Sequence, residues 1–375
     1  MKNKKILMIL SKEYTIDPRV KKEAETLVDE GYKVTIIMWD RGNNYKKHEI
    51  INGVEIIRLR NTIFMKVLPT NLLRNPFWWR MGYKKANSLV NDFDVIHCHD
   101  LDTLRIGVKL KKKYPTKIKL VYDAHEIFGL MIKNNVPKIV TKYAFRMEKK
   151  LLKYVDYIIT VTQPLVDYFK SISQKPVAVV MNCSRIKNTE INPINNEVFT
   201  VSYAGSFDKN RMFPEIIDMM GELNNIKFVV AGRKENIKIY EQVAKKIVNY
   251  NNIDFLGEIS HTDVLNVVSK SNCILCPLNP DYEYFKSALS NKQFEAMIYG
   301  KPVICIKKTY AGDLTKENKC GLVVDYNPDS IKKAIITLKN NPLLCKELGE
   351  NGFKASKNKY NWDEQKNVLI QVYEK

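Results

Sequence analysis

Three observations predict an α/β fold of two parallel-sheet domains. Short β-rich apolar runs alternate with helical patterns over nearly the whole chain, its 375 residues exceed what one hydrophobic core commonly serves, and a polar, Asn-rich stretch interrupts the rhythm near the middle. The first half offers strands at Ile6–Leu10, Val34–Trp39, Val54–Leu59, Val95–Cys98, Leu120–Asp123, Tyr157–Val161 and Val177–Met181. The second half offers Phe199–Tyr203, Lys227–Val230, Asp254–Leu256, Cys273–Cys276, Pro302–Cys305 and Leu322–Val324. Residues 183–197 read as a linker, which divides the chain into an N-terminal domain over 1–182 and a C-terminal domain over 198–360.

The first unit shows how local chemistry sets the pattern. Asp17 suits a helix cap, Pro18 the first helical position, and Gly31 the position past the helix end, before the strand that carries Val34. The loop Ser11–Asp17 then falls at the carboxyl edge of the sheet, where open α/β sheets bind ligands. It contains neither GxGxxG nor GxxxxGK[ST], which argues against dinucleotide-dependent hydride transfer and P-loop chemistry. No repeat of 20 to 50 residues is visible.

Composition narrows the class further. An apolar fraction of 45% with 15 Gly and 14 Pro excludes a disordered or fibrous chain. Seven Cys at irregular spacings, after a start without a secretory leader pattern, predict reduced thiols and a cytoplasmic location. No apolar run approaches the roughly 20 residues that cross a bilayer. The net charge of +20 favours anionic partners, namely lipid surfaces, nucleic acids or phosphorylated substrates, with part of the excess on solvated Lys-rich helix faces.

The chemistry concentrates in Pro277–Val303, an irregular loop followed by a helix expected over Lys292–Tyr299 and stopped by Gly300. A helix N-terminus presents free N–H groups and a positive dipole end to phosphate oxygens, and Glu295 falls one turn inside, at a spacing that suits a diphosphate and a ribose. From spacing alone, a capped helix with a surface Glu fits equally well.

FEAMIYGKPVI (Phe294–Ile304), with VSYAGSFDKNR (Val201–Arg211), VVAGRKEN (Val229–Asn236) and FLGEIS (Phe255–Ser260), resembles the carboxyl half of the family 4 retaining glycosyltransferases. DPRVKKEAETLVDEGYKVTI (Asp17–Ile36), DVIHCHDLDTL (Asp94–Leu104) and VYDAHEIF (Val121–Phe128) resemble that family's acceptor-side motifs, in the same order. The resemblance implies a GT-B architecture, in which two Rossmann-like domains face each other across a cleft, the second holds a nucleotide-sugar and the first an acceptor. It further implies that the last helix, 361–375, returns to the N-terminal domain.

Carried over by position, Glu295 would hold the donor ribose, while Ser287 stands where the family's other acidic residue contacts the sugar. Asp281 or Glu283 could replace that carboxylate. The N–H groups of Leu289, Ser290, Asn291 and Lys292 match the diphosphate turn. Ser206 occupies the position of the family's Arg, so Arg211, with Lys209 as the alternate, is expected to neutralise the leaving phosphate. Gly232, Arg233, Leu256 and Gly257 match the nucleobase edge. On the acceptor side the resemblance implies His125 beside the transferred sugar, with Arg19, His99 and Asp100 near it, and His97 in the core on the opposite face of its strand.

No metal or cofactor is expected. Asp100-Leu101-Asp102 spells DxD but opens a helix, and Cys273 and Cys276 sit on opposite faces of a strand without a second ligand pair. Residues Phe64–Lys85 interleave aromatic rings with cations, and Trp78, Trp79, Arg80 and Lys84 are expected to meet an anionic membrane on the inner face of the cell membrane. Nucleic acid is the lesser reading, because no aromatic stacking platform for it is evident. The expected activity is transfer of a sugar, from a UDP-sugar, to a glycan or lipid-linked acceptor in cell-surface glycan synthesis. The alternative is a sugar-nucleotide epimerase or a weakened nucleotide-sugar-binding subunit on the same fold, suggested by Ser206 and Ser287.

Overall fold

A computed structural model of the protein describes residues 4–134, 136–185, 191 and 197–374, so most of the expected linker, 183–197, lies outside the described residues. The chain forms two compact units, Met1–Met181 with Lys366–Lys375, and Asn182–Gln365.

The first unit is built on an eight-stranded sheet. Its strands in chain order are β1 (Lys5–Leu10), β2 (Lys33–Asp40), β3 (His48–Ile51), β4 (Val54–Arg60), β5 (Val95–His99), β6 (Lys119–Ala124), β7 (Tyr157–Thr160) and β8 (Val177–Val179). In space they run β3-β4-β2-β1-β5-β6-β7-β8. All neighbours pair in parallel except the edge hairpin of β3 and β4, whose turn places Asn52 and Gly53 at φ 49° and 78°. The near-continuous apolar runs of β1 and β2 follow from burial of a parallel sheet on both faces.

The second unit has six strands, β9 (Phe199–Ala204), β10 (Ile226–Ala231), β11 (Ile253–Gly257), β12 (Cys273–Cys276), β13 (Val303–Ile306) and β14 (Gly321–Val324), all parallel, in the order β11-β10-β9-β12-β13-β14. Strand order reverses between β1 and β5 in one sheet and between β9 and β12 in the other. At such a reversal the loops at the carboxyl ends of the strands diverge, which is where open α/β sheets form their ligand crevice.

The final helix, Trp362–Glu374, ends in the first unit. There Tyr373 is buried against Tyr32, with ring centroids 5.9 Å apart, Lys4 Nζ donates to the Tyr373 carbonyl at 2.6 Å, and Lys366 pairs with Glu30 at 3.0 Å. All seven cysteines are free thiols, six of them buried. Among the described residues no helix is long and apolar enough to cross a membrane.

Candidate active site

In the second unit, three glycines stitch the strand ends beside the switch point. Gly205 N donates to the Ala231 carbonyl at 3.0 Å and Gly232 N to the Gly257 carbonyl at 2.9 Å, while Gly257 takes φ +65°. A Cβ on Gly232 would overlap the Phe207 ring, so only glycine lets this loop close. The predicted Arg233 and Leu256 lie on the same edge, both exposed, with Arg233 3.8 Å from Glu235. Ser206 donates its hydroxyl to Glu235 at 2.5 Å.

Asp208 caps the short turn Lys209–Arg211, accepting from Asn210 N at 2.8 Å, and it also pairs with the Arg211 guanidinium. Arg211 lies over the Phe285 ring, 5.1 Å from its centroid. The side chain of Lys209 is exposed, and its carbonyl accepts from Tyr326 at 2.8 Å.

Across the switch point, the helix Asn291–Ile298 begins one residue before its expected start, and Ser290 at its cap makes no capping bond. The Ser290 hydroxyl instead turns inward to Cys276 Sγ at 3.6 Å. Among the described residues, the backbone N–H groups of Leu289, Ser290, Asn291 and Lys292 have no acceptor. Gln293 anchors the helix, donating to the Ala311 carbonyl at 3.0 Å and to Thr315 at 2.7 Å. Glu295 is nearly buried, at 5% exposure, and its Oε1 meets His261 Nε2 at 3.1 Å. Ser287 is buried with its hydroxyl on the Tyr284 carbonyl at 3.3 Å, while Asp281 and Glu283 are exposed. His261 and Glu235 were not singled out by the sequence, since neither belongs to a spacing that marks it.

In the first unit, His99, Asp100, Asp123 and His125 gather at the carboxyl ends of β5 and β6. His125 Nε2 bonds Asp123 at 2.8 Å, its Nδ1 lies 3.5 Å from Asp100, and its backbone N–H donates to Asp100 at 3.3 Å. Burial alone would lower the His125 pKa, but Asp100 and Asp123 push it up to about 9, so the ring is an imidazolium at neutral pH. His99 also meets Asp123, at 3.2 Å, but burial and the neighbouring His97 outweigh that contact and pull its pKa down to about 3. Asp100 opens its helix at φ 60°, a left-handed backbone that Asp tolerates better than most residues.

Two expectations need correction here. Arg19 does not face an acceptor. It is 3% exposed and binds Asp123 with two nitrogens, at 3.2 and 2.7 Å; the third donates to the Val180 carbonyl at 2.6 Å, and one of the two on Asp123 also meets Glu23 at 2.9 Å. It is therefore the buried counter-ion that, with His125, holds Asp123 well below the usual carboxylate range despite burial. His97 is in the core as expected, but on the same face as His99, with rings stacked at 4.2 Å, because residues two apart in a strand share a face.

Glu23, His97, His99 and Asp123 bring ligand-type atoms within 4.8 Å of one another. The Arg19 guanidinium touches both carboxylates and already supplies the positive charge there, so a dication would face it directly. The cluster fits a buried ion network better than a metal centre.

The aromatic segment also differs from expectation. Trp78 is wholly buried, stacked on Trp39 at 5.5 Å, and Trp79 donates its indole N–H to the Asp102 carbonyl at 2.6 Å, with Arg105 over its ring. Neither supplies an exposed interfacial ring. In the helix Asn71–Leu89 the exposed stripe is instead Leu73, Phe77, Arg80 and Lys84, and Phe77 meets Phe64 edge-on at 5.2 Å. Phe64, Ile63 and Val67 are exposed at 58%, 87% and 78%.

The chain as a whole is similar to known proteins. Residues 19–183 match Glycosyltransferase Family 4, and residues 184–355 match Glycosyl transferases group 1. An uncharacterized glycosyltransferase of Methanocaldococcus jannaschii is 24% identical over 323 residues, covering 84% of this chain and 85% of its own. Among solved structures, sucrose-phosphate synthase from Thermosynechococcus elongatus superimposes with a TM-score of 0.81 at 17% identity, covering 99% of this chain and 98% of its own. Anabaena HepE in complex with UDP gives 0.76 at 13% identity, with 99% of each chain covered.

Proposed function

The chain belongs to the family 4 glycosyltransferases of GT-B type, and from that membership we propose that it moves a sugar from a UDP-sugar to a hydroxyl of a glycan or lipid-linked acceptor, with retention of configuration, in cell-surface glycan synthesis. One observation carries the donor side: four consecutive N–H groups, Leu289 to Lys292, stand without acceptors among the described residues at the carboxyl edge of the second sheet, a set of dipoles that a pyrophosphate satisfies. Glu295, oriented by His261, is placed to accept from ribose hydroxyls. UDP as the nucleotide is supported by HepE, which was solved with it.

In the proposed reaction the bond from sugar C1 to the β-phosphate oxygen breaks and its electron pair stays on that oxygen. The acceptor oxygen bonds to C1 from the same face, and its proton passes to the departing phosphate. Donors fixed where the phosphate charge grows lower the barrier without reorganising. No resident metal or cofactor has a part in this scheme. The His125 imidazolium, with its ring held by Asp123 and Asp100, is assigned to the sugar and acceptor side.

The acceptor is proposed to be met at an anionic bilayer on the inner face of the cell membrane, through Ile63, Phe64, Val67, Leu73 and Phe77 with Arg80 and Lys84. Residues 61–91 contain no Asp or Glu and five Lys or Arg, which suits that partner. No observation favours the epimerase or binding-subunit alternative, and the archaeal relative carries a glycosyltransferase name.

Titration calorimetry with UDP and donor turnover test the donor side. Glu295→Ala should weaken UDP by about tenfold or more, the scale of hydrogen bonds to a charged group, with the fold intact. Wild-type affinity and turnover in that variant would sink the assignment.

A further inference from the structure

Of the cations around the β9–β12 switch, three are accounted for: Arg211 is paired with Asp208, Arg233 lies 3.8 Å from Glu235, and Lys209 is exposed to water. Lys292 is different. Its side chain turns inward, with the ammonium 4.7 Å from the Tyr203 ring centroid and packed against Gly205. It makes no hydrogen bond or ion pair with any described residue. It also sits in the first turn of the helix Asn291–Ile298, where the dipole end is already positive.

Burial, and then the like charge of Arg211, lower the Lys292 pKa below its ordinary value, and Cys276, then Glu295 and Asp208, offset this only in part. A half-buried ammonium that no described carboxylate pairs, in the field of Arg211 and of a helix N-terminus, sits there at a cost to the ligand-free protein. That cost is relieved when an anion arrives. The four unpaired amides at Leu289–Lys292 open onto the same place, so amides and ammonium select one kind of guest, a compact group with several negative oxygens.

We propose that the Lys292 ammonium is the catalytic cation of the donor site: it contacts the β-phosphate of the nucleoside diphosphate and stabilises the charge that collects there as the bond to sugar C1 breaks. This assignment rests on the donor-site reading above, and it moves the leading role from Arg211 to a side chain across the switch point. Gly205 makes the room, because a Cβ there would collide with Nζ and lie 2.7 Å from Cε. The adjacent Ser206 brings only a hydroxyl, which Glu235 engages. The lysine thus places close to that loop a positive charge that no described carboxylate pairs.

The test compares Lys292→Met and Lys292→Arg with the wild-type full chain. Affinities for UDP, GDP and ADP and for their monophosphates are measured by calorimetry, with the melting temperature of the ligand-free protein alongside. Lys292→Met should weaken the preferred diphosphate roughly 10- to 100-fold, the worth of a charge-assisted hydrogen bond, and leave the monophosphate within about twofold. Lys292→Arg should keep most of the diphosphate affinity. Ligand-free Lys292→Met should melt at or above the wild type, since an unpaired cation has been removed.

If wild type prefers a diphosphate and Lys292→Met retains that preference, this inference alone falls. A lowered melting temperature or failure to fold in Lys292→Met would mark the lysine as structural and equally overturn it. If wild type binds no nucleoside diphosphate of the panel, the donor-site reading fails first and takes this inference with it.

Discussion

The two crevices handle charge in opposite ways. At the end of the first sheet Arg19, Asp123, His125 and Asp100 form a closed network in which each charge meets an opposite one within 2.7 to 3.5 Å. At the end of the second sheet four amides and the Lys292 ammonium present positive charge that no described carboxylate pairs. A closed network contributes rigidity and fixes the orientation of one ring. An open one stores an attraction that only a ligand completes. Removing a member of the closed set should therefore destabilise the protein, whereas removing Lys292 should not.

The largest effect is expected from Asp123→Ala. Arg19 and His125 would be left buried without their shared counter-ion, and breaking a buried pair on one side commonly costs about 3 to 5 kcal/mol. Urea unfolding measures this directly. A loss below about 1 kcal/mol, the range of a surface pair, would show that water screens the network and that the contrast with the second crevice is false.

His125 gives a smaller, pH-resolved effect. Its folded pKa, about 9, stands above the ordinary value of 6.5, so the fold favours the protonated ring. Its contribution is complete below pH 6.5 and is lost as pH rises through 9, up to about 3 kcal/mol for a shift of this size. The stability difference between wild type and His125→Gln should accordingly shrink across that window, and Asp100→Asn should move the decline to lower pH. A difference that stays flat from pH 6 to 10 would mean that the ring is neutral throughout.

How far the sequence reveals these features depends on the range of the interaction involved. The strands of both sheets are legible because buried parallel strands leave apolar runs, and Asp17 caps its helix through Arg19 N and Val20 N as its position suggests. The edge strand β3 escaped, although Asn52-Gly53 is the turn pair that marks such a hairpin. The Trp pair misled because rings interleaved with cations look the same whether they face in or out. The helix phase decides it: Trp78, Gly82, Ala86 and Val90, four residues apart, are all buried, and Leu73, Phe77, Arg80 and Lys84 face away.

Arg19 and Asp123 lie 104 residues apart, so no local spacing could pair them. The four amides at Leu289–Lys292 were legible from the helix start, because free N–H groups are a property of any helix N-terminus. The direction of the Lys292 side chain was not. It depends on the space left by Gly205 on another strand end, a contact between residues far apart in the chain.

The contrast between satisfied and unsatisfied groups extends to apolar surface, where the expected effect is smallest. Ile63 and Val67 on the helix Ile63–Val67 and Leu73 and Phe77 on the helix Asn71–Leu89 are exposed, and only Met65 of the first of these helices is buried. An exposed apolar patch of this kind, rimmed by cations, resembles the open set of the second unit, since it too would be completed by a partner. Burying a phenyl ring is worth about 1.5 to 3 kcal/mol and each nearby cation about 1 kcal/mol, so Phe64→Ser with Phe77→Ser should reduce sedimentation with anionic vesicles by at least about tenfold. Trp78→Ser should act otherwise, lowering stability through loss of its stack on Trp39 before it alters vesicle binding in the folded fraction. Equal sedimentation of the Phe64→Ser, Phe77→Ser protein and wild type at low salt would leave the patch without a lipid partner and confine the contrast to charge.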